Sequence, residues 1–132
     1  MKHRVQILSV DRMDKYEGTV QFEINGNDYK AFFYGEEYKP GQDIEVELDH
    51  LETPLEWSVI FNENKDKKLR LEKSKNSEWS YYGYGKIKTI APVIADFGDI
   101  QLELGNWTND PNVIGEFIYW TIDRLDISTI KE

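Results

Sequence analysis

The sequence predicts an all-β protein made of two tandem, related β-meanders. Three observations support this fold class: apolar and polar residues alternate along short segments, turn residues separate those segments, and two blocks of sequence recur in the same order. Alternation with a period of two is typical of a strand that buries one face. We expect the two meanders to pack together, either as one barrel or sandwich or as two small fused barrels.

The first meander contains two strand patterns and a turn between neighbouring strands. Residues 18–24 read Gly-Thr-Val-Gln-Phe-Glu-Ile, and residues 41–52 read Gly-Gln-Asp-Ile-Glu-Val-Glu-Leu-Asp-His-Leu-Glu. The pair Asn25-Gly26 suits a tight hairpin turn, because both residue types tolerate positive φ. We therefore expect residues 18–24 to pair with a strand near residues 29–34.

The second meander repeats both blocks. Residues 98–104 align with residues 18–24 at an offset of 80, and residues 115–126 align with residues 41–52 at an offset of 74. At the first offset Ile7 also falls on Ile87. The shared order, spacing and apolar positions indicate an internal duplication of a unit of roughly 45–50 residues.

Between the two copies the sequence predicts an inserted hairpin. Residues 57–61 are strand-like, residues 62–67 form a polar turn, residues 68–72 alternate again, and no helix longer than one turn is expected. The predicted division is therefore a first β repeat in residues 1–52, a connecting hairpin and aromatic linker in residues 53–83, and a second β repeat in residues 84–132. Neither repeat is large enough to bury its apolar face alone, so we expect one compact domain.

The strand pattern of each repeat resembles the small barrels of the OB and SH3-like types. The resemblance lies in the number and spacing of strands and includes no sequence motif of either type. It implies that the repeats form either one barrel or sandwich or two small fused barrels of this type.

Composition excludes several classes of function. The 132 residues include 16 Lys plus Arg, 25 Asp plus Glu and no Cys, for a formal net charge of −9. Without Cys there is no thiolate nucleophile, no disulfide and no sulfur-ligated metal site, and no cofactor is expected. No apolar run approaches the roughly 18 residues that span a bilayer, so we expect no membrane contact. The favoured interpretation is a small cytoplasmic, bacterial protein.

The favoured functional hypothesis is non-catalytic binding of a basic protein, as by an inhibitor or immunity-type partner. Acidic residues alternate outward along the last strand of the first repeat, where complementary charge would steer and orient a basic partner. Charge protecting an edge strand from aggregation is the alternative explanation. The predicted contact residues are Glu37, Asp43, Glu45, Glu47 and Asp49.

A second hypothesis is an OB-like barrel that binds single-stranded nucleic acid. Basic residues beside aromatic residues supply cations for phosphate and rings for base stacking. The net charge of −9 opposes such binding, and the aromatic residues would equally fill the join between the two copies. The candidate residues are Arg70, Trp79, Tyr81, Tyr82 and Lys86.

A third hypothesis is a hydrolytic enzyme with a cleft between the repeats, using Asp49, His50 and Asp123. It is disfavoured, because adjacent residues on a strand point to opposite faces and catalytic groups need positioned partners. The oligomeric state is not fixed by the sequence. Rings that would join copies of the chain in a homo-oligomer are Phe32, Tyr34 and Tyr119.

Overall fold

The computed structural model describes residues 1–130, which form two β-sheets and little helix. The elements are β1 (Lys2–Arg12), β2 (Glu17–Ile24), β3 (Asn27–Tyr34), β4 (Asp43–Leu51), α1 (Trp57–Asn62), β5 (Arg70–Lys73), β6 (Tyr81–Thr89), β7 (Val93–Asp96), β8 (Gln101–Gly105), a single 3-10 turn (Pro111–Val113), β9 (Phe117–Ile122) and β10 (Arg124–Thr129). The prediction of an all-β fold is confirmed. Within residues 1–130, no helix has the length and apolar character needed to cross a bilayer.

The first sheet is a closed barrel in the order β1-β2-β3-β10-β4. Its neighbouring strands are antiparallel except β3 and β10, which are parallel. The hairpin between β2 and β3 turns at Asn25 and Gly26, whose φ angles of 53° and 83° are those the sequence predicts. Closure with five strands is the form that the OB resemblance implies.

The second sheet curls without closing. Its order is β5-β6-β7-β8, and β9 pairs with the other edge of β6. Strand β6 holds the sheet together, because residues 81–84 pair with β5, residues 86–89 pair with β7, and residues 81–86 pair with β9 on the other edge.

Backbone hydrogen bonds show that the two sheets share one pattern. Gly41 donates its backbone N–H to the Ile7 carbonyl at 2.8 Å, and Gly115 donates to the Ile87 carbonyl at the same distance. The register of β1 shifts between Ile7 and Ser9, and that of β6 shifts between Ile87 and Thr89. Strand β6 is therefore the structural counterpart of β1 at the offset of 80, and β9 is the counterpart of β4 at the offset of 74.

One predicted correspondence is wrong. Residues 18–24 lie in β2, which pairs with β1, whereas residues 98–104 contain the turn after β7 and most of β8. The partner of Ile7 is Phe22, and the partner of Ile87 is Ala95, so β7 is the counterpart of β2. The error arises because β2 and β3 are adjacent alternating strands, and alternation does not say which neighbour a strand pairs with.

The inserted hairpin is also incorrect, because its first limb is helical. Residues 57–62 form α1, and β5 pairs with β6 instead of folding back on residues 57–61. Trp57, Ile60 and Phe61 have the i, i+3, i+4 spacing that places side chains on one helix face. Strand β10, which the sequence assigned to the second repeat, closes the first barrel between β3 and β4.

A polar joint connects the two sheets at one end. The Asp99 carboxylate accepts hydrogen bonds from Asn25 Nδ2 at 3.1 Å, Asn27 Nδ2 at 2.7 Å and Tyr29 Oη at 2.6 Å. Burial by itself would raise the pKa of Asp99, but these three donors outweigh burial and the pKa is lowered. The buried apolar side chains of both sheets form one continuous cluster.

Gly83 and Gly85 of β6 are required by the packing of Phe97. A Cβ atom on Gly85 would lie 2.7 Å from the Phe97 ring and 2.8 Å from the Asp96 carbonyl oxygen. The ring therefore lies directly against the bare backbone of β6, which explains the Gly-Tyr-Gly sequence.

Candidate functional site

The acidic residues of β4 do lie on its outer face. Asp43, Glu45 and Asp49 are exposed and Glu47 is half-buried, while the alternate residues of the strand point into the barrel. Because β4 pairs with β1 on one side and β10 on the other, it is not an edge strand. Protection of an edge is therefore not the reason for this acidic row, by which we mean Asp43, Glu45, Glu47 and Asp49.

Three of the four residues of the acidic row have a positive group beside them, since Arg4 also stands opposite Glu45 and Lys2 opposite Glu47 on β1. Arg4 of β1 lies 3.0 Å from Asp43, and the amino terminus lies 2.8 Å from Glu47. Asp49 stands directly opposite Asp126 of β10, and among residues 1–130 its carboxylate accepts a hydrogen bond only from the backbone N–H of His50. Glu37, which the sequence grouped with the row, is exposed in the loop between β3 and β4.

At the Asp49 end the row meets an opening between the two sheets. His50 points inward with 3% of its side chain exposed, and its Nε2 atom lies 2.9 Å from Glu52 Oε2 and 3.3 Å from Trp120 Nε1. Its Nδ1 atom is buried without a hydrogen-bond partner. The carboxylates of Asp49, Glu52 and Glu103 surround this opening.

Glu52 also lines an adjoining apolar cavity of about 370 Å³, which we call the tryptophan cleft. Trp107 is its central ring, stacked against Trp120 at 5.8 Å between centroids and met edge-on by Trp57 at 5.6 Å. Trp120 is buried, whereas Trp57 is 53% exposed. The lining residues are Glu52, Pro54, Leu55, Trp57, Ile60, Leu104, Asn106, Trp107 and Trp120.

The tryptophan cleft lies where the second sheet lacks a strand. In the barrel, β10 fills the position between β3 and β4. The counterparts of those strands are β8 and β9, and within the described chain α1 rather than a strand packs on β9 there. Leu104 of β8, Trp120 of β9 and Ile60 of α1 line the cleft together.

The segments that build the cleft are strongly acidic. Residues 49–64 contain four Asp or Glu and residues 103–123 contain another four, and neither segment contains Lys or Arg. The aromatic lining and the acidic rim therefore come from the same two stretches of chain.

Of the three residues of the hydrolase hypothesis, Asp49 and His50 line one opening and Asp123 does not. Asp49 is exposed and His50 is buried, and Asp49 Oδ1 lies 3.9 Å from His50 Nδ1. Asp123 accepts a hydrogen bond from Thr53 Oγ1 at 2.6 Å. Burial lowers the pKa of His50 against the opposing effect of Glu52, Asp49 and Asp126. No group of three or more potential metal ligands occurs within residues 1–130.

The five residues of the nucleic-acid hypothesis are separated by the fold. Tyr81 is buried, its hydroxyl accepts from the Lys30 backbone N–H at 2.7 Å, and burial raises the pKa of Tyr81 to about 12. Trp79 donates from Nε1 to Thr19 Oγ1 at 2.9 Å in the joint between the sheets. Only Arg70, Tyr82 and Lys86 face solvent.

Tyr82 and Lys86 belong instead to an outer surface of the second sheet that the sequence did not identify. Tyr82 stacks on Tyr119 at 6.3 Å, and Lys86 lies over the Phe117 ring at 5.5 Å. Lysines cover this surface, with Lys68 over Tyr84 at 5.0 Å. We call it the tyrosine face; its members are Tyr82, Tyr84, Phe117, Tyr119, Lys67, Lys68 and Lys86.

The rings considered for a homo-oligomer lie on different surfaces. Phe32 of β3 packs edge-on against Trp79 at 5.3 Å and lies under the Arg124 guanidinium. Tyr34, on the same strand, is exposed, and Tyr119 belongs to the tyrosine face.

Comparison of the chain with protein-family models, with curated proteins and with solved structures found no match. The shape and charge of these surfaces are therefore the basis for assigning a function.

Proposed function

We propose that this chain is a non-catalytic interaction module that binds a basic protein, as an inhibitor or immunity-type partner does. The observation that carries the proposal is the continuity of the acidic row with the tryptophan cleft. Asp49 is the last member of the row and also lies at the mouth of the opening beside Glu52. Charge for steering and apolar surface for anchoring thus occur side by side.

The charge distribution favours a cationic partner over a neutral or anionic one. The carboxylates of Asp49, Glu52 and Glu103 line the same opening, and residues 49–64 and 103–123 contain no Lys or Arg. Complementary charge raises association rates and fixes the register of a partner, whereas like charge excludes wrong partners.

The length of the acidic row fits an extended segment of a partner. From Asp43 to Asp49 the strand rises about 20 Å. A basic segment of about six residues would cover that length in an extended conformation. Such a segment would end beside the tryptophan cleft, where a buried aromatic anchor supplies more binding energy than rim charges do.

The test compares two charge-reversed variants of equal net charge. The first carries Glu45→Lys and Glu47→Lys in the acidic row. The control carries Asp11→Lys and Asp66→Lys, because both residues are exposed and lie outside the row. Binding of a fluorescent arginine-rich peptide is measured by anisotropy at low and high salt, together with capture of basic proteins from a host lysate.

We expect the row variant to bind the peptide about tenfold more weakly, equivalent to about 1.4 kcal/mol, while the control changes little. Affinity of the unmodified chain should fall with salt, since surface charges are screened. Equal losses in the two variants would show that binding follows net charge alone. Retention of every captured protein by the row variant would reject the acidic row as the docking surface.

A second candidate function, binding of single-stranded nucleic acid, is favoured by the tyrosine face. Stacked Tyr82 and Tyr119 beside Lys86 combine rings with cations on one exposed sheet surface. Fluorescence anisotropy with short single strands at low salt tests this candidate. Absence of binding at micromolar protein would eliminate it.

A further inference from the structure

We propose that the tryptophan cleft is a receptor for an arginine side chain of the basic partner. The identity of the ligand rests on the proposed function, but the chemistry of the cleft is argued from its own atoms. The guanidinium group would lie against the indole rings of Trp57 and Trp107. Its N–H groups would be directed to the carboxylates of Glu52 and its neighbours at the opening.

The aromatic wall is suited to a flat cation. Trp107 is held in place between Trp120 and Phe61, at centroid distances of 5.8 Å and 6.1 Å. Trp57 is the exposed member of this cluster and stands at the entrance to the cleft. Indole faces attract cations through the ring quadrupole, and Trp is the strongest of the aromatic residues in this respect.

The polar groups around the opening are almost all hydrogen-bond acceptors. Glu52 uses Oε2 to contact His50, which leaves Oε1 for a ligand. His50 Nε2 lies 2.9 Å from Glu52 Oε2 and accepts from Trp120 Nε1 at 3.3 Å, and the His50 side chain is only 3% exposed, so the carboxylates are the groups that reach a ligand. Asp49 and Glu103 complete the set.

The three carboxylates at the opening call for a ligand rich in donors, while the unpartnered Trp107 Nε1 is a donor in the adjoining cleft. Guanidinium carries five N–H donors in a planar fork that matches carboxylates, and it stacks on aromatic rings. An ammonium group is compact and more strongly hydrated, so transfer from water to this apolar cleft costs it more. These differences favour arginine over lysine as the anchored residue.

The test uses three ligands that differ only in the side chain. N-acetyl-arginine amide, N-acetyl-lysine amide and N-acetyl-citrulline amide are titrated into the full chain, and the indole N–H signals are followed by NMR. A single residue is expected to bind in the millimolar range, which NMR detects. The same substitutions are then made at one position of the arginine-rich peptide.

Two variants separate the cleft from the acidic row. Glu52→Gln keeps the size of the side chain and removes its charge, and Trp57→Ala removes an exposed ring. The matched control is Tyr16→Ala, because Tyr16 is as exposed as Trp57 but lies on the barrel. Circular dichroism and thermal unfolding of each variant establish that it is folded.

We expect arginine to perturb the indole signals while citrulline does not, and each cleft variant to weaken arginine-peptide binding about fivefold or more. Tyr16→Ala should bind as the unmodified chain does. Citrulline or lysine binding as tightly as arginine would overturn the assignment.

The outcomes distinguish this inference from the proposed function. If the row variant loses peptide binding and the cleft variants do not, the docking surface stands and the arginine site is wrong. If free arginine binds the cleft but the row variant retains full peptide binding, the arginine site stands and the acidic row is not the docking surface.

Discussion

The barrel and the second sheet are two versions of one strand arrangement that differ in how a single position is filled. In the barrel, β10 occupies the position between β3 and β4 and closes the structure. In the second sheet, the corresponding position between β8 and β9 holds α1 and the tryptophan cleft. The closed barrel has a core without such an opening, whereas the second sheet, which lacks the corresponding strand, has a cavity that could bind a ligand.

The barrel and the second sheet carry residues of different size beside the position that β10 fills in the barrel. At the offset of 74, Val46 of β4 corresponds to Trp120 of β9. Val46 is fully buried in the closed barrel, whereas Trp120 is buried mainly by other rings. A large indole thus takes up part of the volume that a fifth strand occupies in the other sheet.

Replacing Trp120 with valine tests this comparison most severely. Trp120→Val should lower the free energy of unfolding by about 3 kcal/mol, because α1 and Trp107 lose the ring they pack against. Urea denaturation measures the change, with Trp57→Ala as the control at an exposed ring of the same cleft. If Trp120→Val lowers the free energy of unfolding no more than the control does, the second sheet does not need a large ring at this position.

The buried amide of Asn64 is the next most important support for the open position. Its Nδ2 atom donates to the carbonyls of Gly85 and Ile118, at 3.3 Å and 3.1 Å, and so fixes the end of α1 to β6 and β9. Asn64→Ala should cost about 2 kcal/mol, since two buried carbonyls lose their donor. Denaturant titration against Asn62→Ala, an exposed neighbour, provides the check, and similar costs would contradict this account.

Acid should weaken the chain through His50 and His3. Burial lowers the pKa of both imidazoles below 6.5, so the unfolded chain binds more protons than the folded chain in mildly acidic solution. Stability is therefore fully present above pH 6.5 and is lost as the pH falls toward the folded-state values.

Unfolding free energies at neutral pH and at mildly acidic pH measure this effect. His50→Gln should reduce the pH dependence, and the remainder should follow His3. A pH dependence unchanged in the double variant His3→Gln/His50→Gln would assign the effect to carboxylates instead.

The tyrosine face should contribute least to stability. Tyr82→Ser removes a ring that is 37% exposed, and the expected loss is below about 1 kcal/mol. Binding of the arginine-rich peptide should not change, because the tyrosine face carries lysines and lies outside both the acidic row and the tryptophan cleft. A large loss of peptide binding in this variant would move the docking surface from the cleft to the tyrosine face.

Local sequence patterns predicted the strands well and their neighbours poorly. The Asn25-Gly26 turn and the opposed faces of Asp49 and His50 follow from local backbone geometry, so the sequence was sufficient to predict them. Which strand pairs with which depends on contacts between distant residues, so the match of residues 18–24 with residues 98–104 was wrong. A pattern of alternation carries no information about the partner strand.

The tryptophan cleft was missed for a related reason. Trp57 and Trp107 are fifty residues apart and meet only after α1 folds onto β9. Two local signals were nonetheless present: the helical spacing of Trp57, Ile60 and Phe61, and the absence of Lys and Arg from both acidic segments. The first was read as a strand because a six-residue helix has too few residues to establish a period.

The position of β10 has a consequence for how the chain is made. The barrel cannot close until β10 has been synthesised, and every element from α1 to β9 leaves the ribosome before it. Until then β3 and β4 expose unpaired backbone, which invites pairing with other nascent chains. A deletion that removes residues 124–129 should therefore leave the barrel strands β1 to β4 prone to aggregation, even though the deleted residues are far from those strands in the sequence.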